Sequence, residues 1–378
     1  MTQRGREVIV VLGGTTFDDH QLYDQRIARV LADRADIVFV EPARTIGRPH
    51  WRPTVGTREN GRLTVFSPVR APFGGWWPSS VINGPLIAVQ IWAFVLRGRA
   101  PRGGLRYLVI GIHPSAWALL PKGRSVFLIL DDYLAASALL GMSVRRIRNE
   151  FKRMMRHADR VVVVSPHLQQ QVLKRGVRST VVPAGCLLPA PAAPVSGARS
   201  DRPVAVFIGL LSDRIDFGLM DCLVDDGFDV LFVGPVQETF SKMGEWLALS
   251  RKDGFIRFEP RRDEALNDII RQADIGLIPY ADTEFNQSSF PLKTFEYLAC
   301  GKPVLSSALS SMRWLDSDVV VTASGVEEYR RAARDLYART QDPEVAERCR
   351  ALASQNTWEK RGEAFAELFE LPRPTAAR

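Results

Sequence analysis

Short, largely apolar runs alternate with stretches of mixed polarity along the first half of the chain. The runs cover residues 7–12, 37–40, 63–66, 107–112, 126–130 and 160–164. Val/Ile/Leu runs of this length, without apolar–polar alternation, are the pattern of strands buried on both faces. Between them, residues 21–31 and 144–157 repeat their apolar positions with helical spacing. Strands separated by helices predict a parallel sheet with helices over both faces. The second half restarts the same grammar, with runs at 204–208, 230–233, 255–258, 275–278 and 304–305. Helices are predicted at 264–272, 292–300 and, at the end, 358–371. The fold class is α/β, with two doubly wound Rossmann-like domains.

The two series are separated by LLPAPAAPVSGARSDRP, residues 187–203, which is rich in Pro, Ala, Ser and Gly and has no periodicity. It reads as a linker. The expected division is 1–186 for the first domain, 187–203 for the linker, 204–355 for the second domain and 356–378 for a terminal helix and tail. No repeat of 20–50 residues is visible.

One apolar stretch breaks the alternation. Residues 81–96 read VINGPLIAVQIWAFVL, preceded by Trp76-Trp77 and followed by Arg97, Arg99 and Arg102. A membrane-spanning helix needs about 20 predominantly apolar residues, and this stretch is shorter and contains Asn83, Gly84, Pro85 and Gln90. A helix starting near Pro85 is expected, either buried in the first domain or lying on a bilayer surface.

Composition narrows the class further. The chain has 378 residues, 46% of them hydrophobic and 24% charged, which excludes a disordered chain and a disulfide-stapled mini-protein. About 150 residues per domain gives two domains, in line with the pattern. Cys186, Cys222, Cys300 and Cys349 are too scattered for a CxxC or zinc site and read as reduced thiols of a cytosolic protein. The short apolar start is not a signal peptide. The net charge of +8 is unevenly spread: residues 1–185 hold 27 basic and 12 acidic side chains, residues 186–378 hold 23 and 30. Halves of opposite sign suggest different partners.

The chemistry concentrates between residues 273 and 307, ADIGLIPYADTEFNQSSFPLKTFEYLACGKPVLSS. Ligands of open α/β sheets sit beyond the carboxyl ends of the strands. Here a strand ends at Pro279-Tyr280, a polar loop Asn286-Gln287-Ser288-Ser289 follows, and Phe290-Pro291 opens a helix. Free amides, serine hydroxyls and Lys293 suit a diphosphate. Glu296, three residues further on, is a carboxylate that suits the vicinal hydroxyls of a ribose. Alone, a Lys–Glu pair of this kind is usually a solvated helix face.

PLKTFEYLACGKPV, preceded by ADIGLIPY, resembles the donor-site signature of GT-B glycosyltransferases. FIGLLSDRID (207–216), ADRVVVVSPHLQQQVLKRG (158–176) and NTWEKR (356–361) are similar to their nucleotide-domain loop, last acceptor-domain unit and crossover helix. Within that superfamily the chain most resembles bacterial polysaccharide-assembly transferases, of the teichuronic-acid and xanthan-glucuronosyltransferase kind. The resemblance implies two Rossmann-like domains facing a cleft, with the last helix crossing back to the first. It implies that Glu296 holds the donor ribose and that Lys293, Ser288 and Ser289 hold the diphosphate. Glu259, Tyr280 and the backbone near Leu292 would flank the base, and Arg214, in the loop after Gly209, would neutralise phosphate. It further implies a nucleotide-diphosphate sugar, UDP-linked, as co-substrate, with no metal or other cofactor.

Retaining members carry Glu-x7-Glu, and the first Glu falls at Ser288, which favours inversion. An inverting transfer needs a base, expected from the first domain. Asp132, at the end of the 126–130 strand, is the first candidate and Asp19 the second, with His113 a third. The alternative for Asp131-Asp132 and for Asp18-Asp19-His20 is helix N-capping. Asp316-Ser317-Asp318 reads as a loop and Asp225-Asp226-Gly227 as a turn. No nucleotide-binding GxGxxG and no nucleic-acid-binding module is present. The expected activity is sugar transfer to a lipid-linked or cell-surface glycan acceptor. The expected place is the cytoplasmic side, with the basic first domain against an anionic inner leaflet. The alternatives are a non-hydrolysing sugar-nucleotide epimerase or an inactive nucleotide-sugar-binding protein.

Overall fold

The largely apolar runs become the central strands of two separate parallel sheets. The computed structural model describes residues 7–18, 22–47, 51–72, 77–98, 105–110, 117–135, 143–190, 202–238 and 240–371, without the side chains of 77–81, 96–98, 118 and 146. The chain divides into two units. Met1–Val164, Leu168–Pro183 and Trp358–Arg378 form the first, and Ser165–His167 with Ala184–Thr357 the second.

The strands of the first unit are β1 (Val8–Leu12), β2 (Asp36–Val40), β3 (Arg44–Thr45), β4 (Thr54–Arg58), β5 (Leu63–Ser67), β6 (Val69–Arg70), β7 (Leu105–Ile110), β8 (Arg124–Ile129), β9 (Arg160–Val163) and β10 (Thr180–Val181). Eight of them form one sheet in the order β10-β9-β8-β7-β1-β2-β5-β4, parallel except for β4 against β5, while β3 and β6 pair separately. Its helices are α1 (Tyr23–Leu31), α2 (Trp77–Gly98), α3 (Val144–His157) and α4 (Pro166–Leu173), the last beginning in residues assigned to the second unit.

The second unit holds β11 (Val204–Ile208), β12 (Asp229–Val233), β13 (Phe255–Phe258), β14 (Ile275–Ile278), β15 (Val304–Ser307) and β16 (Val320–Ala323), all parallel, in the order β13-β12-β11-β14-β15-β16. Helices α5 (Phe217–Asp225), α6 (Met243–Leu249), α7 (Asp263–Gln272), α8 (Glu284–Ser288), α9 (Lys293–Ala299), α10 (Ser310–Trp314), α11 (Gly325–Arg339) and α12 (Pro343–Ser354) fill the connections. The chain runs outward from β11 on one side and from β14 on the other, so the topological switch lies between these two strands.

The last helix, α13 (Trp358–Leu368), belongs to the first unit and packs on α1, as the expected crossover requires. Trp358 meets Tyr23 edge-on at 5.1 Å. A Cβ at Gly362 would come within 3.0 Å of Val30, so the two helices approach closely only because that residue is glycine. The Tyr23 hydroxyl donates to Val182 O at 3.0 Å, and burial pushes its pKa up.

Several expectations change. α2 begins at Trp77, with Pro78 in its first turn, so Pro85 sits inside the helix rather than at its start. The polar stretch after Tyr280 is not all loop: Thr283 caps α8 by accepting from Asn286 N at 3.2 Å. Residues 133–135, after Asp131-Asp132, form a turn. The short strands β3, β4, β6 and β10 carry no apolar run and leave no sequence signal. Most of the 187–203 stretch, His113 and Trp76 lie outside the described residues.

Candidate functional site

The site grows from glycines at the carboxyl edge of the second sheet. Gly209 follows β11 with φ +119°, and Gly234 follows β12 with φ +153°; any Cβ at 234 would collide with Gly209 O. The two loops interlock: Leu211 N donates to Pro235 O and Gln237 N to Leu211 O, each at 3.0 Å. Asp213 accepts from the Ser241 hydroxyl and from Ser241 N at 2.8 Å. The loop after β11 is thereby held open against the switch point.

Lys293, the first residue of α9, projects into that opening. It is 9% exposed, and a Cβ on Gly209 would lie 2.9 Å from its Nζ, so a side chain there would press on the ammonium, and the positive φ at Gly209 separately favours glycine. Nζ stands 4.0 Å from the Phe207 ring centroid and 5.2 Å from that of Tyr280. Burial lowers the Lys293 pKa, and the nearby Arg214 lowers it further, against the opposing pull of Tyr280 and Glu296.

Arg214 reaches the same ring from the other loop, its guanidinium carbon 4.6 Å from the Tyr280 centroid and 4.9 Å from that of Phe285. Its Nε donates to Asn286 Oδ1 at 2.9 Å and its Nη2 to Ser289 Oγ at 3.2 Å. Asn286 is buried and its amide donates to Arg214 O and Ala281 O, so one side chain fixes both the backbone and the head group of Arg214. An Ile215–Tyr280 bridge ties the same two loops. Two cations converge on one aromatic ring beside a glycine turn, an arrangement suited to a diphosphate.

The structure brings Gly209, Arg214, Tyr280, Ser289 and Lys293 together. Ser288 is fully buried, its hydroxyl donating to Phe285 O at 2.8 Å, and it serves α8 rather than an open surface. Leu292 is the residue before α9, and Glu296 faces solvent one turn along that helix. Glu259 is 73% exposed after β13, near Arg257 at 3.9 Å. Sequence reasoning missed Asn286, Phe207 and Phe285. The amide of Asn286 looked like loop polarity, and the rings like core.

In the first unit, Asp132 is buried and both oxygens are engaged. Oδ1 accepts from Leu134 N at 2.9 Å and Ala135 N at 3.1 Å, and Oδ2 from Gln171 Nε2 at 3.0 Å. Asp19 lies outside the described residues. Its neighbour Asp18 is exposed and pairs with Arg58 at 2.8 Å. The loop after β1 is pinned instead by Asp24, which accepts from Gly14 N, Thr15 N and the Thr15 hydroxyl. Among the described residues, no group of three or more His, Cys, Asp or Glu is arranged to hold a metal ion. Asp318 takes Arg339 and Arg348, each at 3.2 Å.

Residues 203–339, which lie within the second unit, match the profile of the family described as Glycosyl transferases group 1. A Bacillus subtilis (strain 168) protein named as a teichuronic acid biosynthesis glycosyltransferase, TuaH, is 29% identical over 157 residues; the match spans 36% of this chain and 39% of the relative. Among solved structures, sucrose-phosphate synthase from Thermosynechococcus elongatus superposes with a TM-score of 0.74 at 14% identity, over 97% of this chain and 98% of that one. An E. coli trehalose-6-phosphate structure bound with UDP-2-fluoro glucose gives 0.69 at 11% identity, over 97% and 100%. The architecture is that of the GT-B fold, with two Rossmann-like domains.

Proposed function

We infer that this chain is a glycosyltransferase whose second unit binds a nucleotide-diphosphate sugar, UDP-linked, and whose acceptor is a lipid-linked or cell-surface glycan. One observation carries the reading: the buried Lys293 ammonium and the Arg214 guanidinium converge on Tyr280 beside Gly209, at the topological switch. Burial makes the Lys293 charge costly in the free protein, and a diphosphate is the anion that repays it. The match of this unit to a glycosyltransferase domain supports the same reading.

In the transfer, the acceptor oxygen forms a bond to the anomeric carbon as the bond to the diphosphate breaks. The electron pair leaves with the nucleotide, and a first-unit carboxylate, Asp132 or Asp19, takes the acceptor proton. Lys293 and Arg214 take up the charge on the leaving diphosphate, the task a divalent cation performs in other sites, which supports transfer without added metal. The serine at 288 supports inversion. Glu296 holds the ribose. The enzyme works at the inner membrane leaflet, where a lipid-linked acceptor is presented.

The test is a mass-spectrometric screen of UDP- and GDP-sugars with a lipid acceptor extract, with and without EDTA. Net transfer from a UDP-sugar that persists in EDTA is the expected result. Donor epimerisation, or binding without turnover, would overturn the assignment, and a product keeping the donor's anomeric configuration would remove the inverting reading.

A further inference from the structure

Helix α2 is turned inside out relative to an ordinary surface helix. Its mid-section polar side chains face the protein: Asn83 Oδ1 accepts from Ala71 N at 2.7 Å, and the Gln90 amide exchanges hydrogen bonds with Val69 N and O at 3.0 and 2.8 Å. Its buried stripe is Gly84, Ala88, Ile91 and Val95. Solvent instead meets Ile82, Val89 and Trp92, exposed by 58%, 60% and 47%. With Pro85, these lie at helical spacings of three and four, on one face. The helix carries no charged residue between Trp77 and Leu96. No helix among the described residues is long and apolar enough to cross a membrane.

Topology sets a second stripe beside the first. Moving from β5 to β7, from β7 to β8 and from β8 to β9, the chain steps in one direction across the sheet, opposite to the step from β1 to β2. Right-handed crossovers therefore put α2, the 3₁₀ turn Trp117–Leu119 and α3 on one face, with α1 on the other. The packing agrees: α2 contacts that turn, and Trp117 meets His157 of α3 edge-on at 4.8 Å. Leu119, 56% exposed, continues the apolar surface. α3 buries Ile147, Phe151, Met154 and Met155 and turns Arg145, Arg148, Lys152 and Arg156 outward in a single row. Among the described residues, only Arg153 of this helix has a carboxylate partner, Glu150 at 3.6 Å.

We propose that this face of the first unit is the membrane-docking surface, with α2 lying in the interface of an anionic phospholipid bilayer and the α3 row on its headgroups. It deepens the peripheral-enzyme reading by naming the surface. An apolar stripe without charge suits shallow insertion, and a row of unpaired cations beside it suits an anionic leaflet. Neither stripe alone selects this occupant. A protein partner would not require the cation row, and RNA would not require the uncharged stripe.

The full chain is floated with vesicles of phosphatidylcholine alone and of phosphatidylcholine mixed equally with phosphatidylglycerol. Two double variants accompany it, Val89→Asp with Trp92→Asp, and Arg148→Glu with Lys152→Glu. All four positions are exposed, and circular dichroism verifies folding. The expected result is flotation with the anionic vesicles only, with apparent affinity lowered more than about tenfold in each double variant. No flotation with anionic vesicles, or flotation unchanged in both variants, overturns the proposal. So does binding to poly(U) RNA without vesicle binding, or a dimer in sedimentation that the α2 variant dissolves. Calorimetry with UDP on the same proteins keeps the two readings apart. Both variants are expected to bind UDP as the parent does, and a parent that binds vesicles but not UDP sinks the donor assignment alone.

Discussion

The ring of Tyr297 occupies the space that a side chain at position 276 would need; any Cβ on Gly276 would collide with it. The two residues sit at the switch point. β11 and β14 pair only at Ala205–Ile275 and Val206–Gly276, and then part. The Tyr297 hydroxyl fills the gap, accepting from Ile208 N at 2.9 Å and donating to Leu277 O at 3.2 Å. Its burial pushes the phenol pKa well above the ordinary range, so it stays a neutral donor. The strands thus separate beneath Gly209 without leaving either backbone group unsatisfied.

Tyr297→Phe removes that bridge and leaves a buried amide and carbonyl unpaired. Urea unfolding is expected to show a loss of about 1–3 kcal/mol. Gly276→Ala forces the ring aside and is expected to cost about 1–3 kcal/mol by overpacking. Both should weaken UDP binding in calorimetry, because the opening for Lys293 depends on the separated strands.

Lys293 gives a prediction of sign. Its pKa is lowered in the free protein, chiefly by burial, and a bound diphosphate raises it toward its ordinary value. Binding of UDP must then take up protons across the window between the lowered and the ordinary lysine pKa, and affinity must fall as pH rises through it. Calorimetry in buffers of different ionisation enthalpy measures the uptake. Lys293→Ala should abolish it and weaken UDP binding by about ten- to hundredfold, the worth of a charged hydrogen bond.

Glu296 is exposed on α9, so its removal should change stability by no more than about 0.5 kcal/mol. If it holds the ribose, UDP binds the parent more tightly than 2′-deoxy-UDP, and Glu296→Ala erases the difference. Equal affinity of the parent for both nucleotides would remove the ribose role.

Asp132 is separated from its structural task by two substitutions. Asp132→Ala removes the acceptor for Leu134 N and Ala135 N and should cost about 1 kcal/mol. Asp132→Asn keeps an acceptor for both amides and should keep the fold. A base at this position predicts that the Asn variant loses about a hundredfold or more in turnover at unchanged stability. Unchanged turnover leaves Asp132 as an acceptor for those amides.

The apolar runs at 204–208 and 275–278 were sufficient to read two parallel strands, because strands buried on both faces tolerate no polar position. The segment from Tyr280 to Glu296 was likewise enough to place Lys293 at the start of a helix beyond a strand end, since a prolyl helix start precedes it. The partners of that lysine were not legible. Phe207 and Arg214 lie about eighty residues earlier, and only the packing of loops at the switch point brings them to one ring. Asn286 is the same case: its sequence context says loop, and its burial against Arg214 makes it a clamp. The direction in which α2 faces was beyond the sequence too. Apolar spacing marks a helix, but whether Val89 and Trp92 meet core or solvent is fixed by Gln90 bonding to β6 and Asn83 to Ala71 just after it, contacts that exist only once the chain has folded.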